Sequence, residues 1–406
     1  MEGRRPLEGL KIIDFTWLIS GPVACKFLAD YGAEVIKVES HSIPEGTRLI
    51  TPFKDNIAGV NRSAMFTNYN SSKYSLSLNL NHPKGLEIAK RLVAWADVVV
   101  ESFRPGVMKR WGLDYEELKK IKPDIIMLSM TTQGQTGPFN RQPGVGTHLQ
   151  ALAGITHLTG WPDREPVGTP IPYPDFISPW YIIVAIMAAL DYRCRTGQGL
   201  CIDVSQLETS LHFMAPCLLD YMVNGRIQSH MGNQHPYAAP HGVYRCRGDE
   251  RWCAIVIFTD DEWHSFCEAI GSPGWTKEPR FATFLDRKEN ESELNLLVEE
   301  WTSTHTAEEV MDLLQAAGVA VGVVQNGQDI LERDSQLQHR QHFRVFEHPE
   351  TGQHVTEVAP YRLSLTPGDP KWAAPCLGEH NEYVGTQILG MSDEEFVQLL
   401  SDGVLY

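Results

Sequence analysis

The 406-residue sequence has no C-x-x-C pair, no run of apolar residues long enough to cross a bilayer, no basic excess and no phosphate-binding glycine signature. Each absence removes a class of function. The eight cysteines, with no paired spacing and mostly beside apolar stretches, read as reduced thiols of a cytoplasmic protein. The longest strongly apolar run, Trp180 to Leu190, has 11 residues. A bilayer needs about 20, so the run predicts a buried helix and no membrane partner. The polar start Met1-Glu-Gly-Arg-Arg-Pro6 does not read as a signal peptide. Lys and Arg number 35 against 51 Asp and Glu, a net charge of −16, which disfavours nucleic acid. No G-x-G-x-x-G follows the first predicted strand, no P-loop occurs and no G-x-S-x-G elbow is present. These absences argue against a nicotinamide dehydrogenase, a nucleoside triphosphatase and an α/β hydrolase. His339, His342, His348 and His354 lack a matching cysteine or carboxylate spacing. They read as surface histidines, with no metal expected.

What is present alternates strand and helix. Leu10–Phe15, Glu34–Glu39, Asp97–Val100 and Ile125–Met130 are short Val/Ile-rich runs, and Tyr74–Leu80 alternates with period two. Pro22–Tyr31 and Pro83–Ala96 have helical spacing. The pattern predicts an α/β fold with a mostly parallel sheet covered on both faces. From about residue 226 the texture changes to a turn-rich loop, Asn233–Gly242, then strands and helices of a smaller α+β domain ending near 329. The boundaries expected are 1–225 for the large domain, 226–329 for the small one and 330–406 for a C-terminal segment.

Ligands of open α/β sheets bind beyond the carboxyl ends of the strands. The loop Thr16–Pro22 opens a helix there, and Glu101–Arg110 offers Phe103 for stacking and Arg104 and Arg110 for phosphate, with Lys73 before another strand. Taken one at a time, a surface salt bridge explains each base equally well. Asp175 closes a proline-lined segment, Pro166–Asp175, ahead of the helical run Trp180–Arg193. It reads either as a nucleophilic carboxylate or as a solvated charge at the start of a helix.

These segments together resemble the class III CoA-transferases, the CaiB/BaiF type that includes formyl-CoA:oxalate and carnitine CoA-transferases. The resemblance runs from Pro6 to about Gly403. It is carried by Gly21-Pro22 through Tyr31–Glu39, Asn70–Leu80, Ala96–Gly106, Gly134–Pro138, Thr196–Ser205, Ala316–Gln325 and Gly378–His380. It implies a Rossmann-like large domain completed by the C-terminal segment 330–406, an interlocked dimer (homodimer or heterodimer with a homologous subunit) and acyl-CoA and organic acid substrates. A CoA thioester is then a substrate, with no permanently bound cofactor. The family's catalytic aspartate falls on Asp175. Its CoA contacts fall on Leu18, Ile19, Ser20, Lys73, Ser102, Phe103, Arg104 and Arg110, and its mobile active-site loop on Gly232–Gly242. Two departures stand out: Ser40 where some members place an arginine, and Pro179 where many have glycine. Proline suits the first turn of a helix, which predicts a slightly altered entrance angle.

Related α-methylacyl-CoA racemases pair the aspartate with a histidine in a Gly-His-Asp segment. Here Val145 and Gly146 hold those positions, and His148 lies three residues beyond. A racemase would therefore lack its second base. A non-catalytic CoA-binding subunit is a further alternative, opposed by the presence of Asp175. Trp17, Trp161, Tyr173, Phe176 and Trp180 are candidate walls for a bulky or aromatic acid, or equally core packing. The local likeness to the benzylsuccinate branch favours transfer from succinyl-CoA to a substituted or aromatic dicarboxylate.

Overall fold

A computed structural model describes residues 5–366 and 368–406. Packing divides the chain into two compact units: Met1–Ile155 with Thr169–Ile227 and Gln336–Tyr406, and Thr156–Gly168 with Gln228–Ser335. The smaller unit thus begins later than residue 226 and ends beyond 329. It also claims a thirteen-residue stretch, Thr156–Gly168, that no change of composition announces.

The larger unit is built on six parallel strands: β1 Lys11–Phe15, β2 Glu34–Glu39, β3 Tyr74–Ser77, β4 Val98–Glu101, β5 Ile126–Thr131 and β6 Cys201–Ser205, in the order β3-β2-β1-β4-β5-β6. Successive side chains on a strand face opposite sides, and the two cores follow that alternation. Ile13, Ile36 and Val99 bury on one face with Leu92 and Leu405. Ile12, Val35, Val98 and Val100 bury on the other with Leu28, Ile182 and Ile186. The strand order reverses between β1 and β4, which opens a crevice at their carboxyl ends. The C-terminal segment holds an antiparallel hairpin, β10 Phe343–His348 with β11 Gly352–Glu357, and then returns to the sheet. There Asn381 Oδ1 accepts the Ser77 N–H at 2.8 Å, and Val404 and Leu405 enter the core.

The smaller unit is a three-stranded antiparallel sheet, β7 His241–Arg245, β8 Trp252–Val256 and β9 Ala320–Val323. The helices Asp260–Ala269, Glu291–Thr302 and Ala307–Ala316 cover it, burying Trp263, Phe266, Leu294, Val298 and Leu314. Two of these helices start at capping boxes, Thr259 with Glu262 and Thr306 with Glu309. Such a box satisfies two otherwise unpaired N–H groups.

Two expectations change here. The strand begun at Tyr74 stops at Ser77: Leu78 still donates to the Glu39 carbonyl but bridges Leu405, and the Asn79 N–H turns to the Val404 carbonyl. His348 and His354 are not surface residues. His348 is 3% exposed, its Nδ1 accepting from Glu350 and Thr351 N–H, while both ring nitrogens of His354 are buried. Among the described residues no His, Cys, Asp or Glu group is arranged to hold a metal. All eight cysteines are free; Cys25, Cys246 and Cys253 are buried, whereas Cys194 and Cys201 are exposed.

Candidate active site

Asp175 lies in the first turn of the 24-residue helix Tyr173–Thr196, not ahead of it. The sequence signal missed this because Pro172 and Pro174 read as loop and Pro179 as the first turn of the helix. Pro172 and Pro174 fall where the first N–H groups have no helical partner in any case. The helix is long and apolar enough to cross a membrane by composition, but Ile182, Ile186 and Ala189 are buried in the core of the larger unit. It packs there as a core helix.

The Asp175 carboxylate borders a pocket of about 100 Å³ at the carboxyl ends of β1, β4 and β5. The loop after β1 supplies Trp17 to Ser20, the loop after β4 supplies Ser102, and Gly146 and Gln206 complete the rim. Asp175 is the only ionisable group among the lining residues. Gln206 donates from Nε2 to Asp175 Oδ1 at 2.8 Å. Burial pushes the Asp175 carboxyl above the usual carboxylate range, opposed by the hydrogen bond of Gln206. A half-buried carboxylate with few donors is poorly solvated and correspondingly reactive. Gly146 is needed at its place, because a Cβ there would lie 2.5 Å from Asp175 Oδ2 and 2.5 Å from Pro172. The Thr131 side chain also lines the pocket, is 7% exposed, and its hydroxyl has no protein partner.

The floor of the loop after β1 is held by buried charge. Lys73 is fully buried and gives its ammonium to Asp14 Oδ2 (2.8 Å), Asn70 Oδ1 (2.8 Å) and the Pro22 carbonyl (2.9 Å). Its three donors are used, so it meets no ligand phosphate; the expectation fails because the loop before β3 turns inward. Burial works to raise the Asp14 carboxyl, yet Lys37 and Lys73 hold it at about 2. Beside them Arg48 forks onto both oxygens of Glu39 at 2.7 and 2.8 Å. Leu18 adopts a left-handed φ of 66°, a conformation non-glycine residues rarely take. Its N–H is captured by Glu45 Oε1 at 2.5 Å.

The remaining expected contacts separate. Leu18, Ile19, Ser20 and Ser102 line the Asp175 pocket, and the Trp17 N–H donates to Ser102 Oγ at 2.9 Å, tying the two loops together. Phe103 lies next door in an apolar slot of about 250 Å³ with Trp17, Trp111, Ile43 and Leu80. Its ring meets Trp17 and Trp111 edge-on at 6.0 and 5.1 Å. Ser40 borders the same slot. Arg104 lines a separate cleft of about 580 Å³, and Arg110 is exposed on the helix Val107–Trp111.

Of the five aromatic candidates only Trp17 reaches the Asp175 pocket. Tyr173 packs on Phe213, Phe176 on Tyr69, and Trp180 stacks on Phe27 at 5.2 Å. Trp161 belongs to the smaller unit, where Gly232 sits against its ring. His148 is exposed, and Val145 occupies the pocket rim instead. Gln206, Thr131 and Gly146 were not anticipated as site residues. Gln206, directly after β6, and Thr131, at the end of β5, carried a positional signal; Gly146 did not.

A family model described as CoA-transferase family III matches residues 7–381. A succinyl-CoA–D-citramalate CoA-transferase of Chloroflexus aurantiacus is 32% identical over 401 residues, covering 99% of this chain and 98% of that one. The β subunit of a succinyl-CoA–L-malate CoA-transferase from the same organism is 31% identical, covering 98% of each. A crystal structure of a CaiB/BaiF family protein from Brucella suis superposes with a TM-score of 0.87 at 30% identity, covering 95% of this chain and all of that one.

Proposed function

The chain belongs to CoA-transferase family III, and we propose that it moves CoA from succinyl-CoA to a short dicarboxylic or hydroxydicarboxylic acid through covalent intermediates on Asp175. The observation that carries this reading is the lone carboxylate, Asp175, on a small pocket at the β1/β4 reversal.

The chemistry is self-contained. An Asp175 oxygen attacks the thioester carbonyl and the C–S bond breaks, giving a mixed anhydride and CoA thiolate. The thiolate attacks the aspartyl carbonyl, releasing the donor acid and leaving an aspartyl-CoA thioester. The acceptor carboxylate attacks that thioester and expels the thiolate, forming a second anhydride. Thiolate attack on the acceptor carbonyl then yields the new acyl-CoA and free Asp175. The activated acyl bond is passed on at each step, so nothing needs to be hydrolysed. Phe103 and the aromatic slot beside the pocket suit the adenine end of CoA. Arg104 and Arg110 remain candidates for the phosphates, on the family resemblance.

A pocket of about 100 Å³ suits a short acyl chain. The named relatives act on citramalate and malate, which are acids of that kind. An aromatic acceptor such as benzylsuccinate keeps only Trp17 as support within the pocket. We also propose a dimer, with a second copy or a homologous subunit. The helix Ala215–Asn224 buries none of its residues and exposes Leu219, Tyr221, Met222 and Val223, the last two at 78%. An apolar face of this kind marks an interface. The free thiols fit a reducing, cytoplasmic compartment.

Mass spectrometry of succinyl-CoA incubated with malate, citramalate, glutarate and benzylsuccinate tests the acceptor; a preference for benzylsuccinate overturns the short-acid reading. Hydroxylamine trapping should mark Asp175 after acyl-CoA addition. Full turnover by Asp175→Ala refutes the mechanism. Rapid α-deuterium uptake by a 2-methylacyl-CoA without acceptor acid would make the enzyme a racemase.

A further inference from the structure

We propose that Ser20 and Pro179 are a matched pair that sets the position of Asp175: the proline leaves the Asp175 main-chain carbonyl without its helical donor, and the Ser20 hydroxyl replaces that donor while locking Gln206 onto the carboxylate. The inference rests on the reading of Asp175 as nucleophile.

In an α-helix the carbonyl of residue i accepts the N–H of residue i+4. For Asp175 that residue is Pro179, which has no N–H, and its ring crowds the same carbonyl. Pro179 is the seventh residue of the helix Tyr173–Thr196, so it lies inside the helix and not in its first turn, where it was expected. The freed carbonyl has found a partner on another element. Ser20, the first residue of the helix Ser20–Asp30 and 2% exposed, donates from Oγ to the Asp175 carbonyl at 3.0 Å.

A hydroxyl has one proton to give. With that proton on the carbonyl, Ser20 Oγ is an acceptor for everything else near it, and Gln206 Nε2 donates to it at 2.8 Å. The amide has two N–H groups, and the same Nε2 donates to Asp175 Oδ1 at 2.8 Å. The result is a closed circuit: carboxylate, Gln206 amide, Ser20 hydroxyl and back to the carbonyl of the same aspartate. Both ends of Asp175 are fixed through Ser20. The circuit also fixes which way the Gln206 amide faces, since only its nitrogen can serve both oxygens. On the residue before Asp175, Ser178 Oγ donates to the Pro174 carbonyl at 2.8 Å and lies 2.8 Å from Thr209 Oγ1. Ser20 and Pro179 are thus positioning residues. An N–H donor at 179 would make the Ser20 donor redundant.

The test is a double-mutant cycle on the full chain with succinyl-CoA and its best acceptor. Ser20→Ala with Pro179 in place should lower kcat about ten-fold, the effect of stranding a buried acceptor, while KM for succinyl-CoA stays within about two-fold, since Ser20 acts through Asp175. The acid limb of kcat/KM should move to higher pH, because Gln206 is no longer held on the carboxylate. Ser20→Thr, which keeps the donor, should stay within about three-fold of the parent. In the Pro179→Ala background the N–H is restored, and adding Ser20→Ala should then lower kcat less than about three-fold. A Ser20→Ala effect of equal size in both backgrounds overturns the proposal, as does no effect in either. If Ser20→Ala does not fold, Pro179→Ala must restore folding and activity; failure to do so also overturns it. Asp175→Ala serves as the reference. Retained turnover there sinks the nucleophile reading itself, whereas a dead Asp175→Ala with an uncoupled cycle sinks only the positioning pair.

Discussion

Glu101 ends β4 with its side chain 2% exposed, and it has no cation beside it. Burial raises its carboxyl from 4.5 to about 7, against the opposing hydrogen bonds of Ser129 and of the Phe103 N–H, which reaches Oε2 at 2.7 Å. A raised carboxyl favours the protonated side chain in the folded state. Its burial is therefore harmless at low pH, and stability is lost as pH climbs from the unfolded value towards and past 7. The linkage relation applied to 4.5 and about 7 gives a penalty of about 1 kcal/mol at pH 5 and about 3 kcal/mol at pH 8. Glu101→Gln has the same shape and can still accept the Phe103 N–H through its amide oxygen, but it carries no charge. Relative to the parent it should gain about 2 kcal/mol of stability between pH 5 and pH 8. Urea unfolding of both proteins across that range measures the difference. Parallel stability curves would show that burial does not raise the Glu101 carboxyl.

Gly146→Ala should lower kcat by more than about a hundred-fold, because the added methyl meets the Asp175 carboxylate; near-parental rates would show that the Asp175 rotamer is not the reactive one. Lys73→Met should destabilise the protein by about 3–5 kcal/mol, leaving Asp14 charged and buried; thermal melting that does not shift would contradict the buried pair. The acid limb of kcat/KM should lie above the ordinary carboxylate range, since Asp175 must lose its proton to attack and burial raises it; a limb near 4 would mean a well-solvated nucleophile. Phe103→Ala should raise KM for acyl-CoA about ten-fold and spare kcat if the slot between Trp17 and Trp111 takes the adenine.

The parallel sheet was legible because β1, β2, β4 and β5 are buried on both faces and so read as short apolar-rich runs, broken inside only by Asp14, Lys37 and Ser129. The C-terminal return was legible only through family resemblance, since Asn381, Val404 and Leu405 meet β3 across more than 300 residues. Local pattern also misled. Pro172 and Pro174 made the helix start look like loop, and Pro179 looked like its first turn, which displaced Asp175 to a position ahead of the helix. Lys73 looked like a phosphate ligand because charge is read as exposure. No spacing rule shows that Asp14 and Asn70 wait for it inside. Of the two readings of the aromatics, Phe176 and Trp180 follow core packing: they lie on the same helix as Asp175 but turn to Tyr69 and Phe27. The proposed chemistry was readable as a candidate because it asks for a single carboxylate. Its control was not, because a helix proline and a serine 159 positions away acquire meaning only when a carbonyl lacks a donor and a hydroxyl is found supplying one.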